Sequence, residues 1–196
     1  MLWRQRYLQI FILSCSSLIS LSAMPLAASK KHSSTTRAKL HSVAFDATAI
    51  INGGLAFRYE YSALPYLNIS IPLEGQLLSL SPLSSEFIAG SRILGWSWFP
   101  HASAKTGVGA KFHYAGWYVE PLIKVGFAEI QFAGSALGTR YYALLQPEVM
   151  IGHQAAFDFG LFLNVGIGLG ARIFLPATEV PPYWQPDAVI AVGYTW

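Results

Sequence analysis

Seven of the ten acidic residues, Asp46, Glu60, Glu74, Glu120, Glu148, Asp158 and Asp187, fall on the polar face of alternating segments. Arg58, Lys124, Arg140 and Arg172 share that face. Clustered carboxylates can act as a general acid and base when their surroundings differ. Here cations are interspersed throughout, and a buried charge without a partner is costly. The pattern therefore points first to a polar plug of ion pairs, and the expected lumen network is Asp46, Arg58, Glu60, Glu74, Glu120, Lys124, Glu148, Asp158 and Arg172. The histidines at 32, 41, 101, 113 and 153 are dispersed and offer no metal-ligand spacing. No phosphate-binding loop or nucleophile elbow occurs. These residues predict no catalytic, metal or cofactor site.

The segments that position these charges alternate with period two, the mark of strands with one apolar face. The first sets Val43, Phe45, Ala47, Ala49 and Ile51 against Asp46 and Thr48, and Asn52-Gly53-Gly54 supplies a hairpin turn. The second sets Leu55, Phe57, Tyr59 and Tyr61 against Arg58 and Glu60; the third sets Leu67, Ile69, Ile71, Leu73 and Leu77 against Asn68, Ser70, Glu74 and Gln76. A fourth strand ends at Phe99, with Arg92 on the parity of Leu94, Trp96 and Trp98, which calls for a bulge near Gly95. Residues 100–111 read as a turn. The fifth presents Trp117 to Phe127 at odd positions, the sixth Tyr141 to Ile151, and the seventh Phe157 to Leu169. The eighth runs from Asp187 to Trp196 after a proline-rich loop. Pro72, Pro121 and Pro147 lie inside strands, each removing a ladder donor, so bulges are expected there. Glycines 160, 166, 168 and 170 leave one inner wall bare, to be filled by long side chains from other strands.

Composition selects the solvent. The chain of 196 residues is 53% hydrophobic and only 12% charged, about half the ~25% charged fraction usual in soluble domains. Its mean hydropathy is +0.40. After residue 29 no uncharged apolar run reaches the ~20 residues of a membrane helix, which leaves a transmembrane barrel. Arg4, Arg6, the apolar run from Tyr7 to Leu21 and the small residues at Ala27-Ala28 read as a signal peptide over 1–28. The one cysteine, Cys15, falls inside it. Residues 29–41 form a Ser/Thr-rich basic leader whose charges have no interleaved aromatics, so no nucleic-acid partner is expected. The barrel domain spans 42–196.

The last strand places Ile190, Val192, Tyr194 and Trp196 on its apolar face, with an aromatic as the final residue. This resembles the C-terminal signature of bacterial outer-membrane β-barrels. From 42 onward the chain is similar to small OmpA-type barrels in strand number, polar interior and terminal aromatic. The resemblance implies an all-β, eight-stranded antiparallel up-and-down transmembrane barrel in the outer membrane, in contact with lipid and lipopolysaccharide. It also implies recognition of Ile190, Val192, Tyr194 and Trp196 by the barrel-assembly machinery. With both barrel ends periplasmic, Tyr61, Tyr66, Trp96, Trp98 and Trp117 form an inner aromatic girdle, joined by Tyr194 and Trp196. Every histidine then lies in the leader or on the inner side. Unlike in the full-length members of that family, no peptidoglycan-binding domain is expected after the barrel. The expected role is structural, surface-interacting or defensive, with a plugged lumen and no large pore. A lipid A deacylase or acyltransferase is the alternative from another class, and a lipocalin-like periplasmic binder is the third, because alternation does not reveal which face points outward.

Overall fold

The computed structural model describes residues 40–77, 80, 98–132, 138–176 and 180–196. Its strands are β1 (His41–Asp46), β2 (Gly54–Leu64), β3 (Leu67–Leu77), β4 (Trp98–Tyr114), β5 (Trp117–Phe132), β6 (Thr139–Ala156), β7 (Leu161–Leu175) and β8 (Tyr183–Thr195), with one helical turn, α1 (Thr48–Ile51), after β1. All neighbours are antiparallel, and β1 pairs with both β2 and β8, so the sheet closes as an eight-stranded up-and-down barrel. His41 and Trp196 lie together at one end, the terminal end; the connections after β1, β3, β5 and β7 lie at the opposite loop end.

The alternation sorts as expected, and the apolar set faces outward. In β5 the odd residues from Trp117 to Phe127 are exposed and Tyr118, Glu120, Leu122 and Lys124 are buried. β3, β6 and β8 follow the same rule, with Leu73, Ile151, Val192 and Tyr194 exposed.

Three strands depart from the sequence reading. Residues 100–111, expected as a turn, lie within β4, which continues to Tyr114. A register shift between Pro100 and Ala102 moves the inward set from Trp98 and Pro100 to Ser103, Lys105, Gly109 and Lys111. The fourth strand expected before Phe99, with its bulge near Gly95, falls outside the described residues except at its end. β1 stops at Asp46 because that side chain bends the chain: its Oδ1 accepts from Thr48 N (2.9 Å) and Thr48 Oγ1 (2.6 Å), starting α1. Ala47, Ala49 and Ile51 therefore leave the strand. β7 begins only at Leu161, after a turn containing Asp158 and Phe159.

The prolines produce no bulges. Pro72, Pro121 and Pro147 each sit beside a short interruption in one ladder, with the register unchanged on either side. Beside Pro72 the gap is bridged by Thr106 Oγ1, which donates to the Pro72 carbonyl at 2.9 Å. The β4–β5 turn, Ala115-Gly116, has φ of 50° and 87°, the double positive φ of a two-residue type I′ hairpin whose twist matches its strands.

Candidate functional site

The barrel encloses buried charge beside an apolar cluster that includes Tyr118, Leu122, Met150, Phe162 and Val189. At the terminal end Lys111 is fully buried, and its Nζ donates to Glu60 Oε1 and Gln154 Oε1, both at 2.8 Å. The same ammonium lies 4.4 Å from the centroid of the Tyr118 ring, a cation–π contact. Asn68 Nδ2 donates to the other Glu60 oxygen at 3.2 Å. A second pair sits beside it: Arg58 Nη1 donates to Glu120 Oε2 at 2.5 Å, and Ser70 Oγ donates to Glu120 Oε1. Both carboxylates are thus held on both oxygens, the condition under which a buried ion pair is tolerated.

Towards the loop end the charges form a branched network. Lys124 donates to Glu74 at 2.6 Å and to Glu148 at 2.9 Å, with Asp187 at 4.0 Å; Lys105 meets Glu74 at 2.9 Å. Gln146 bridges them, accepting from Lys105 at 3.2 Å and donating to Glu148 at 2.9 Å. Above this layer Trp98, Ile130, Phe132, Tyr142, Leu144 and Phe174 form an apolar cluster inside the long strands β4–β7.

Of the expected lumen residues, Arg58, Glu60, Glu74, Glu120, Lys124 and Glu148 join these networks, and Arg172 is buried among them. Asp46 reaches the mouth but spends one oxygen on α1. Asp158 does not belong: it is exposed in the β6–β7 turn, because the chain reverses before the apparent alternation of Phe157 and Phe159 ends. Arg140, also expected inside, is exposed at the loop end of β6. Lys105 and Lys111 are the cations that the sequence reading missed, hidden by treating 100–111 as a turn. The alternation Lys105, Gly107, Gly109, Lys111 against Ala104, Thr106, Val108, Ala110 was the available signal.

The bare glycine wall is filled. A Cβ on Gly152 or Gly166 would collide with the Tyr118 hydroxyl, one on Gly168 with Met150 Sδ, and one on Gly193 with the Phe162 ring. The glycines are therefore seats for large side chains, chiefly from β5 and β6.

Outside, Ile190, Val192, Tyr194 and Trp196 lie exposed on β8 as expected, and the Trp196 ring stacks on His41 at 6.0 Å. Tyr61, Tyr66 and Trp117 are exposed at the terminal end, accompanied by Tyr114 and Phe159. Trp98 is not part of this ring: it is buried inside the loop end, its ring 5.5 Å from that of Tyr183. Its misplacement follows from the missed length of β4. Trp96 falls outside the described residues. For the same reason His101 lies towards the loop end, opposite to the expected side, while His41, His113 and His153 lie towards the terminal end. Among the described residues His101 makes no hydrogen bond to a serine or carboxylate, and no group of His, Cys, Asp and Glu could hold a metal ion.

Comparison with protein families, with curated proteins and with solved structures found no match for this chain.

Proposed function

We propose that this chain is an integral outer-membrane β-barrel of the OmpA-like kind, with a structural, surface-interacting or defensive role and a plugged lumen. One observation carries this reading. Among the described residues, no Asp, Glu, Lys or Arg points outward between the terminal-end aromatics and the level of Phe127 and Tyr141. Glu129, paired with Tyr141, stands at the upper edge of that stretch, and Arg140, opposite Ile130, lies one step beyond on the inward parity. From Trp117 to Phe127, or Ile151 to Tyr141, the apolar band is eleven residues long, ten steps of strand. At ~3.3 Å per residue and a tilt of about 40°, that covers roughly 25 Å, the height of an outer-membrane apolar band. Water-facing sheets do not leave such a band bare.

The lumen is the second support. Eight strands enclose just enough room for side chains, and here Tyr118, Lys111, Phe162, Met150 and Gln146 are fully buried inside it. The refolded protein in planar bilayers should show no large, steady conductance. The location is tested by fractionation: the protein should sediment with outer membranes and run as a heat-modifiable band, and recovery in soluble periplasmic extract would overturn the reading. We read the barrel as non-enzymatic. Lipid A of cells with and without the gene should give the same mass spectrum, whereas an acyl-chain difference would select the deacylase or acyltransferase reading.

A further inference from the structure

A cavity of about 400 Å³ opens at the loop end of the lumen and reaches down to Glu74. On its β7 wall lies Arg172, 6% exposed. A guanidinium carries five N–H donors. This one makes a single long hydrogen bond, Nη1 to the Tyr183 hydroxyl at 3.4 Å, and its buried Nε has no acceptor among the described residues. No carboxylate among the described residues comes within ion-pair distance of it. Glu148 spends Oε2 on both Lys124 and Gln146 and leaves its buried Oε1 without a hydrogen bond among the described residues, yet beyond ion-pair distance of Arg172, while Glu74 is held by Lys105 and Lys124. Among the described residues, Arg172 is thus the exception in a lumen whose other buried cations are all paired.

The wall made by β1 and β8 carries the opposite charge. Asp46 uses Oδ1 for Thr48, and Asp187 uses Oδ1 for the Ala188 amide while its Oδ2 stands at the 4.0 Å limit from Lys124. Both carboxylates line the same cavity as Arg172. A lone anion seated on Arg172 would share the space with Asp46, Glu74 and Asp187; a lone cation would share it with Arg172 and Lys105. A molecule carrying both charges is repelled by neither wall. The volume lies near the lower end of ligand pockets, room for a small molecule of up to roughly twenty heavy atoms.

We propose that the mouth cavity binds a small zwitterion, its carboxylate or phosphate taken by Arg172 and its ammonium lying against Asp46 and Asp187. The site is a property of the folded lumen and does not depend on where the barrel resides. It is tested on the full chain refolded in detergent, by titration calorimetry with O-phosphoethanolamine and glycine as zwitterions and with inorganic phosphate and ethanolamine as the separated charges. At least one zwitterion should bind saturably, about tenfold or more tighter than either separated charge, the equivalent of one modest ion-pair contact. Arg172→Gln should weaken that binding at least about tenfold, as loss of a charge-assisted fork does. Asp187→Asn, at the more exposed rim, reads the same site should Arg172→Gln fail to refold: it should abolish the advantage of O-phosphoethanolamine over phosphate. Micelles doped with phosphatidylethanolamine separate a lipid headgroup from a soluble ligand, and binding to these alone would assign the site to headgroups. The proposal is overturned by phosphate binding as tightly as O-phosphoethanolamine, by unchanged binding in either variant, or by no saturable binding of any probe, soluble or lipid.

Discussion

The two ends of the lumen solve the problem of enclosed charge differently. Near the terminal end, Lys111 with Glu60 and Arg58 with Glu120 are matched one to one, and both carboxylates are further held by Asn68 or Ser70. Near the loop end, Lys124 is shared among three carboxylates, Arg172 has none among the described residues, and Asp46 and Asp187 turn partly to local backbone. In the first arrangement every charged group is taken by a partner of opposite sign, which ties it to the fold. The second leaves charge uncommitted in a cavity open to the outside. The comparison teaches that the plug and the mouth are separable: mutations at one end should act on stability and at the other on ligands.

The largest effect is expected where pairing is complete. Glu60→Leu leaves Lys111 buried and unpartnered, and should cost roughly 3–5 kcal/mol, whereas the double change Glu60→Leu/Lys111→Met should recover most of it. Denaturant titration of the protein refolded in detergent measures both. A double variant no more stable than the single one would mean that Lys111 is held by Gln154 and Tyr118 and not by its charge partner.

Next comes the glycine wall beneath the mouth. Gly166→Val drives a side chain against the Tyr118 hydroxyl and should cost about 1–3 kcal/mol, the usual range for overpacking. Gly75→Val, on the outward face with nothing within 4 Å of the point a Cβ would occupy, should leave unfolding unchanged. Equal effects at the two sites would show that the lumen yields to added volume.

A smaller effect should appear in assembly. Trp196→Ser should lower the membrane-inserted yield more than Thr195→Ala, because Trp196 lies exposed on the apolar parity and stacks on His41, while Thr195 shares the inward parity. Quantitative blotting of outer-membrane fractions reads the difference, and equal yields would remove the assembly-signal reading.

The smallest effect sharpens the comparison most. Arg172→Met deletes a buried cation that has no carboxylate partner among the described residues and is wetted through the mouth cavity, so stability should hold or rise by up to ~1 kcal/mol. A loss comparable to that of Glu60→Leu would join the mouth to the plug.

The residues that are legible in the sequence are those whose two faces contrast. β3, β5, β6 and β8 alternate Leu, Ile, Val or aromatic residues with Glu, Lys, Gln or Gly, and their inward and outward faces follow from that contrast. β4 is not legible in this way, for two physical reasons. Its outward set from Ala104 to Ala110 is small, so hydrophobic contrast is weak, and the shift at Pro100–Ala102 reverses parity within the strand. The positions of Lys105, Lys111, Trp98 and His101 all depend on that one strand. Asp158 fails differently: alternation on either side of a tight turn looks continuous when Phe157 and Phe159 flank it. That Arg172 has no carboxylate partner among the described residues has no sequence signal, since it depends on distances among six strands.

The closure of the barrel is uneven. The β1–β8 ladder runs only from Ser42 to Asp46, while β5–β6 is continuous from Trp117 to Gln131. α1 cuts the first strand short, so the fastening is a hasp on an otherwise long cask. Without the eighth ladder, all eight strands joined by the other seven make an open sheet, and the two five-pair ladders flanking β1 are where local opening is expected to start. Amides of β1 and the facing half of β8 should exchange with deuterium ahead of those in β5 and β6, because short ladders open locally at little cost. The turn of helix that Asp46 initiates thus sets where the cylinder parts.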